Sequence, residues 1–239
     1  MQVLAIDSAT PVAGVALLDN GILIREEFSN YKKNHSETLM PMVDQVLHET
    51  DRKLQDITAL AVTIGPGSFT GLRIGLALVK GLALAARIPV VGISTLEVLA
   101  HNICESNALI CPLLDARKNE VYCGFYTSES GGGPRRLLKD AACSPQEFIE
   151  KALEVTEKNG LQTITLLGEG FYPYAEAFGQ GLGEKMRLAG AHLMLPRASA
   201  LADLAVKRVI QGDFDNPLGL KPYYIRLSEA EYRLGRGEL

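Results

Sequence analysis

The 239 residues predict an α/β fold made of two repeated lobes, and three observations carry that prediction. Asn20-Gly21 separates two apolar, strand-like runs, the strongest short-range hairpin signal a sequence offers. Further apolar runs of strand length then alternate with stretches of helical period. The same order restarts near Ala108, and an aspartate closes the first strand of each half, Asp7 and Asp115. An internal duplication is the economical account of that echo.

The elements follow in order. Strands are expected over 3–6, 12–17 and 22–28, then a helix over 36–48, a strand over 57–64, a helix over 68–87, a strand over 89–93 and a helix from Thr95. In the second half, strands at 108–114 and 120–126 lead through Gly131-Gly132-Gly133-Pro134 to 135–139. A helix over 145–158, a strand over 163–167 and a helix from Tyr172 complete a second βββαβα unit. The division drawn from this is 1–103, 104–212 and a tail of 213–239.

Composition narrows the class. A hydrophobic content of 47% in a chain this long suits a soluble protein of one or two domains. The opening Met1 to Asp7 lacks a basic stretch and meets an aspartate too early for a secretory core, so the reading is cytoplasmic. Cys104, Cys111, Cys123 and Cys143 are separated by 6, 11 and 19 residues, which matches no zinc or redox spacing and suits reduced, buried thiols. A net charge of −4 provides no chain-wide basic field, so any RNA role requires a partner. The longest apolar run, 74–86, contains Lys80 and is well short of the roughly 20 residues that span a bilayer.

The stretch Gly65-Pro66-Gly67-Ser68-Phe69-Thr70-Gly71-Leu72-Arg73 suggests a nucleotide loop and fails each pattern it suggests. A Walker loop needs a Lys-Ser/Thr pair that is absent, and a dinucleotide fingerprint needs glycine at Thr70. A nucleophile elbow on Ser68 needs glycines at Pro66 and Thr70. What remains is a strand-to-helix turn with a helix N-terminus able to attract an anion.

Two such halves, with a cleft between them and an aspartate at the end of each first strand, describe the actin-like ATPase architecture of sugar kinases, actin and the Hsp70 chaperones. Those proteins place glycine soon after the aspartate so that backbone amides approach phosphate. Here the loops read Asp7-Ser8-Ala9-Thr10 and Asp115-Ala116-Arg117-Lys118, eroded as ATP clamps. Asp7, Ser8, Thr10, Asp115 and Gly168, the last in Gly168-Glu169-Gly170, are the candidates for a weak nucleotide contact. The competing reading is that both aspartates only terminate strands through local hydrogen bonds.

A closer resemblance covers nearly the whole chain. Leu4-Ala5-Ile6-Asp7-Ser8-Ala9-Thr10, His35-Ser36-Glu37-Thr38-Leu39, the glycine segment, Leu114-Asp115-Ala116-Arg117 and Pro222-Tyr223-Tyr224-Ile225-Arg226 resemble the bacterial TsaB family of tRNA threonylcarbamoyladenosine assembly proteins. The resemblance implies a non-catalytic relative of the enzyme TsaD, which pairs with it while a TsaE-type ATPase joins. Together they transfer threonylcarbamoyl to the adenosine beside the anticodon, so this chain meets tRNA only indirectly. It implies no cofactor of its own, with ATP or ADP at a joint of the complex. The catalytic relative holds its metal with two histidines four apart, just after the equivalent of Ile88-Pro89-Val90. Those positions here are Gly92 and Leu96, and none of the chain's four histidines pairs at that spacing, so no metal site is expected. His35 beside Ser36 reads as a helix entry.

If catalysis lies elsewhere, the surface of interest is an interface. Between Leu72 and Ala86 only Arg73 and Lys80 are charged, and their spacing puts them on one stripe. Gly71, Gly75 and Gly81 would each cost roughly 1 kcal/mol in a solvated helix, so close approach by another backbone is expected. On the preceding helix Leu39, Val43, Val46 and Leu47 share a face, which Met40 and Met42 extend. Leu39, Met40, Val43, Val46, Leu47, Arg73, Leu76 and Lys80 are therefore the expected interface to a TsaD-type partner, and to a second copy in its absence. The bland alternative is that both helices merely cover a sheet. Arg135-Arg136-Leu137-Leu138-Lys139 reads as the wet face of a strand, with RNA phosphate contact as the alternative, and the polar 229–237 segment as mobile or docked. Two rival functions remain, a phosphotransferase using Asp7 and a metallopeptidase, the second opposed by Gly92 and Leu96.

Overall fold

The computed structural model of the chain describes residues 1–31, 34–105, 107–128 and 133–226. Its first sheet contains β1 (Gln2–Asp7), β2 (Ala13–Asp19), β3 (Ile22–Ser29), β4 (Ala59–Gly65) and β5 (Val90–Ser94) in the order β3-β2-β1-β4-β5. Asn20 and Gly21 both take positive φ, 51° and 79°, as the hairpin turn between β2 and β3 requires. Three helices belong to this part of the chain: α1 (His35–Glu49), α2 (Phe69–Ala86) and the short α3 (Thr95–Ala100).

The second sheet repeats the plan. Its strands β6 (Ala108–Arg117), β7 (Glu120–Ser128), β8 (Pro134–Cys143), β9 (Thr163–Leu167) and β10 (Met186–Leu188) lie in the order β8-β7-β6-β9-β10, the same winding as the first. Between them run α4 (Pro145–Lys158) and α5 (Ala175–Leu182). Ser144 caps α4: its hydroxyl accepts from the Glu147 N–H, and the Glu147 carboxylate accepts from the Ser144 N–H, with Pro145 opening the helix. In the core beneath, Phe125 stacks on Phe148 with ring centroids 5.6 Å apart, and Phe148 meets Phe178 edge to face at 5.4 Å.

Period-2 alternation sorts the first sheet's side chains. Leu4 and Ile6 face α1 and α2, while Val3 and Ala5 face α6 (Ala198–Ile210). That last helix departs from the sequence-based division, which grouped it with the second half. Its Ala198, Leu201, Ala202, Ala205 and Val209 are buried on the first sheet because β1 is apolar on both sides and needs a cover for each. The helix α3 also straddles the halves, with Val98 in the first core and Leu96 and Leu99 in the second. Residues 215–226 then start beside the N-terminal end of the edge strand β5 and reach the C-terminal end of β4. The Asp215 N–H donates to the Val90 carbonyl, and the Tyr223 N–H donates to the Ile64 carbonyl at 2.7 Å. Gly131 and Gly132 of the expected turn, and the 229–237 segment, lie outside the described residues.

Candidate functional site

The first sheet's strand ends and the β6–β7 hairpin face each other across a cleft of about 530 Å³. On the first lobe, Asp7 is fully buried. Its Oδ1 accepts from the Thr63 hydroxyl at 2.6 Å and the Ala9 N–H at 3.1 Å, while Oδ2 has no partner among the described residues. Burial raises its carboxyl above the usual carboxylate range despite those donors. The loop after it is locked onto α2. The Ser8 hydroxyl donates to the Gly71 carbonyl at 2.9 Å, and the Ser68 N–H donates to the Ala9 carbonyl at 2.7 Å. A Cβ on Gly71 would overlap the Ser8 carbonyl oxygen, and one on Gly75 the Ser8 hydroxyl. One of the three helix glycines, Gly71, therefore receives the close backbone approach the sequence called for, from this chain's own loop, while Gly75 receives a side chain of the same loop. A Cβ on Gly81 would meet nothing within 4 Å among the described residues.

The Ser8 hydroxyl proton is thus already engaged, while Thr10 Oγ1 is engaged only as an acceptor. Thr10 Oγ1 accepts from the Val12 N–H, and the Thr10 carbonyl accepts from His35 Nε2 at 2.8 Å, so that nitrogen carries a proton, while Nδ1 is buried without a partner among the described residues. His35 ties the start of α1 to the loop rather than only shaping a helix entry. Across the cleft Asp115 is exposed and its Oδ1 accepts from the Arg117 N–H, so the two strand-end aspartates are not equivalent. Arg117, Lys118 and Asn119 form the hairpin with φ of 58°, 53° and 61°. Gly168 is corrected by the structure. Its φ is 100° and a Cβ would overlap the Leu113 carbonyl, so it lets the chain press against β6 instead of lining the cleft. Glu169 lines the cleft, its carboxyl raised by burial and by the Asp115 charge.

The far rim is aromatic. Phe69 stacks on Tyr224 at 5.2 Å, and the Arg73 guanidinium lies 3.7 Å from the Phe69 ring centroid while its Nε donates to the Tyr224 hydroxyl. Arg226 pairs with Glu120 and so links the 215–226 segment to the second lobe.

The expected interface residues fall into two groups. Leu39, Val43, Val46 and Leu76 are buried between their helices and the first sheet, at 3% exposure or less, which corrects their assignment to a partner surface. Leu47 is packed partly against the same core. Met40 (46%) and Arg73 are exposed, and Lys80 is half-buried. The open face of α2 runs along Thr70, Arg73, Ala77, Gly81 and Leu84, one residue per turn, with a single full charge. This 18-residue helix has a mean hydropathy of 1.5, long and apolar enough by composition to cross a membrane, yet it packs Leu72, Gly75, Leu76 and Val79 on the sheet.

Gly92 and Leu96, where the catalytic relative is expected to carry histidines, are filled structurally. A Cβ on Gly92 would lie 2.7 Å from Ile64 Cγ2, and Leu96 is fully buried in the second core. Among the described residues no three His, Cys, Asp or Glu side chains gather as a metal site would require. Cys111, Cys123 and Cys143 are buried and Cys104 is exposed.

The model of the TsaD family, described as tRNA N6-adenosine threonylcarbamoyltransferase, matches residues 23–225. The tRNA threonylcarbamoyladenosine biosynthesis protein TsaB of Bacillus subtilis is 35% identical over 97% of this chain and 96% of its own. The chain belongs to the TsaB family. The Escherichia coli TsaB is 30% identical over 98% of both chains. The structure of YeaZ from Pseudomonas aeruginosa superposes with a TM-score of 0.76 at 26% identity, covering 93% of this chain and 99% of that one. The fold is accordingly of the actin-like class, and membership in the TsaB family places the chain in tRNA threonylcarbamoyladenosine biosynthesis.

Proposed function

We propose that the chain is a non-catalytic scaffold subunit that docks a TsaD-type catalytic subunit through the open face of α2 and the neighbouring Met40, with a TsaE-type ATPase joining the assembly in the cytoplasm. The observation that carries this reading is α2 itself. Only 33% of a strongly apolar helix is buried within the chain, and its outer stripe of small and apolar residues is what a second helix packs against. When the catalytic partner is absent, the same stripe serves a symmetric homodimer. The loop chemistry is compatible with the same conclusion: the Ser8 hydroxyl donates to Gly71 and Thr10 Oγ1 accepts from Val12, both holding the Asp7–Val12 loop in place, and ATP or ADP is assigned to a joint of the assembly. A phosphotransferase with Asp7 as base is disfavoured by that carboxylate's complete burial.

The test is size-exclusion chromatography with light scattering of the chain mixed with its cognate TsaD-type subunit, comparing wild type with Leu84→Glu. Leu84 is 55% exposed, so the variant folds. A carboxylate trapped in the helix contact costs about 2 kcal/mol or more, so the heterodimer weakens at least about 30-fold. An undiminished heterodimer, or ATP turnover by this chain alone, would overturn the reading.

A further inference from the structure

Of the residues on the open stripe of α2 only Arg73 carries a full charge, and its side chain is held in a fixed pose. The guanidinium lies 3.7 Å from the Phe69 ring centroid, and its Nε donates to the Tyr224 hydroxyl at 3.1 Å. Tyr224 is itself stacked on Phe69, and the N–H of the preceding Tyr223 is bonded to the Ile64 carbonyl at the end of β4. A long side chain that would otherwise sample many rotamers is thereby ordered before any partner arrives. The pose leaves both Nη groups without an acceptor among the described residues, and no carboxylate among those residues forms an ion pair with Arg73. The helix itself, Phe69–Ala86, contains no Asp or Glu to supply one. Phe69 and Tyr224 line the cleft and Arg73 does not, so its charge is presented on the outer side of the cleft rim.

A helix packed along Thr70, Arg73, Ala77, Gly81 and Leu84 covers this guanidinium with apolar surface. A cation covered in that way without a counter-charge is strongly unfavourable, whereas one that is paired and hydrogen-bonded is tolerated. Two free Nη groups in one plane, fixed in direction, match the two oxygens of a carboxylate. Ala77, Gly81 and Leu84, the stripe beyond Arg73, offer a phosphate backbone no side-chain donor, which favours a protein over a nucleic acid as the occupant. We propose that Arg73, held on Phe69 and Tyr224, is the anchor for an Asp or Glu carboxylate on the helix of the TsaD-type subunit that packs along α2. The inference rests on the scaffold reading above and adds the chemistry by which the partner is recognised.

The test is isothermal titration calorimetry of the chain with its cognate TsaD-type subunit, comparing wild type, Arg73→Ala and Arg73→Lys, together with carbodiimide cross-linking of the Arg73→Lys complex. Arg73 is exposed, so both variants fold, which thermal unfolding checks. Arg73→Ala leaves the partner's carboxylate buried and unpaired and weakens the heterodimer at least about 30-fold. Arg73→Lys keeps the charge without the fork and falls between the two. The carbodiimide joins the new amine at position 73 to the carboxylate it touches, and mass spectrometry then identifies that Asp or Glu. Replacing it by alanine in the partner weakens binding of the wild-type chain by a similar factor, and combining that change with Arg73→Ala weakens binding no further. An Arg73→Ala heterodimer of wild-type affinity overturns the inference, as does an additive loss in the combined variants or a cross-link to no partner carboxylate. Loss of tRNA binding by Arg73→Ala with an intact heterodimer overturns it too, because it marks a phosphate contact instead. Absence of the wild-type heterodimer sinks the scaffold reading and this inference together, whereas a heterodimer weakened by Leu84→Glu but not by Arg73→Ala sinks the inference alone.

Discussion

Replacing the α2 glycines one at a time by alanine separates backbone propensity from packing on a single helix. In a solvated helix each replacement is worth roughly 1 kcal/mol in favour of alanine. Gly81 is exposed with open space around its Cα, so Gly81→Ala stabilises by about that amount, or about 2 to 4 °C in Tm for a chain of this size. At Gly71 the new methyl meets the Ser8 carbonyl oxygen, a backbone atom that moves only if the Asp7–Val12 loop moves, with His35 Cδ2 only 3.2 Å away. Overpacking of this kind costs about 1 to 3 kcal/mol, and more where backbone must shift. Gly71→Ala is therefore net destabilising by about 1 to 2 kcal/mol, a fall of about 2 to 8 °C. Gly75→Ala lies between them. Its methyl meets only the Ser8 hydroxyl, which rotates away at the loss of one hydrogen bond worth about 1 kcal/mol, close to the propensity gain. The assay is thermal and urea unfolding of the isolated chain at two protein concentrations, which exposes any self-association through the Gly81 face. Gly71→Ala melting at or above wild type, or Gly81→Ala melting below it, would refute the loop-on-helix packing.

Two further outcomes follow from burial. Val43 is fully buried on the inner face of α1, so Val43→Glu leaves an unpaired carboxylate in the core and costs about 3 to 5 kcal/mol of stability in urea unfolding. A Val43→Glu chain with wild-type stability that only fails to bind its partner would instead place Val43 at an interface. Asp7 titrates higher in the folded than in the unfolded chain, so the folded state binds its proton more tightly. Its contribution to stability is greatest below the unfolded value of 3.8 and is lost as pH rises through the raised folded value. The stability of Asp7→Asn relative to wild type should therefore increase with pH across that window, measured by urea midpoints, and a flat or falling difference would contradict the buried, half-satisfied carboxylate.

Much of this was readable because it is local. The Asn20-Gly21 turn, the helix over 145–158 with Ser144 ahead of Pro145, and the strand over 163–167 depend on neighbours in sequence, and each stands where local chemistry put it. The apolar character of α2 and the need of its glycines for a close neighbour were also visible. The signal for α6 was present as well, in Ala198, Leu201, Ala202, Ala205 and Val209 at helical spacing, but no local rule says which sheet such a face covers.

Periodicity identifies an apolar face without identifying what covers it. Leu39, Val43, Val46 and Leu76 looked like contact residues because they are apolar and aligned; the tertiary structure turned them inward and left Met40, Ala77 and Leu84 outside. Gly168 looked like a ligand-approach glycine, and the fold used its freedom to admit the Leu113 carbonyl. Lys139 on β8 and Lys207 on α6 line one groove that has no sequence signature, because 68 positions separate two lysines that only the tertiary fold brings together. By itself the sequence determined the duplicated α/β plan, the family and the eroded phosphate loops, all written in runs of adjacent residues. Which faces are buried and which polar groups are already satisfied were decided by tertiary structure alone, since each depends on contacts between residues far apart in the chain.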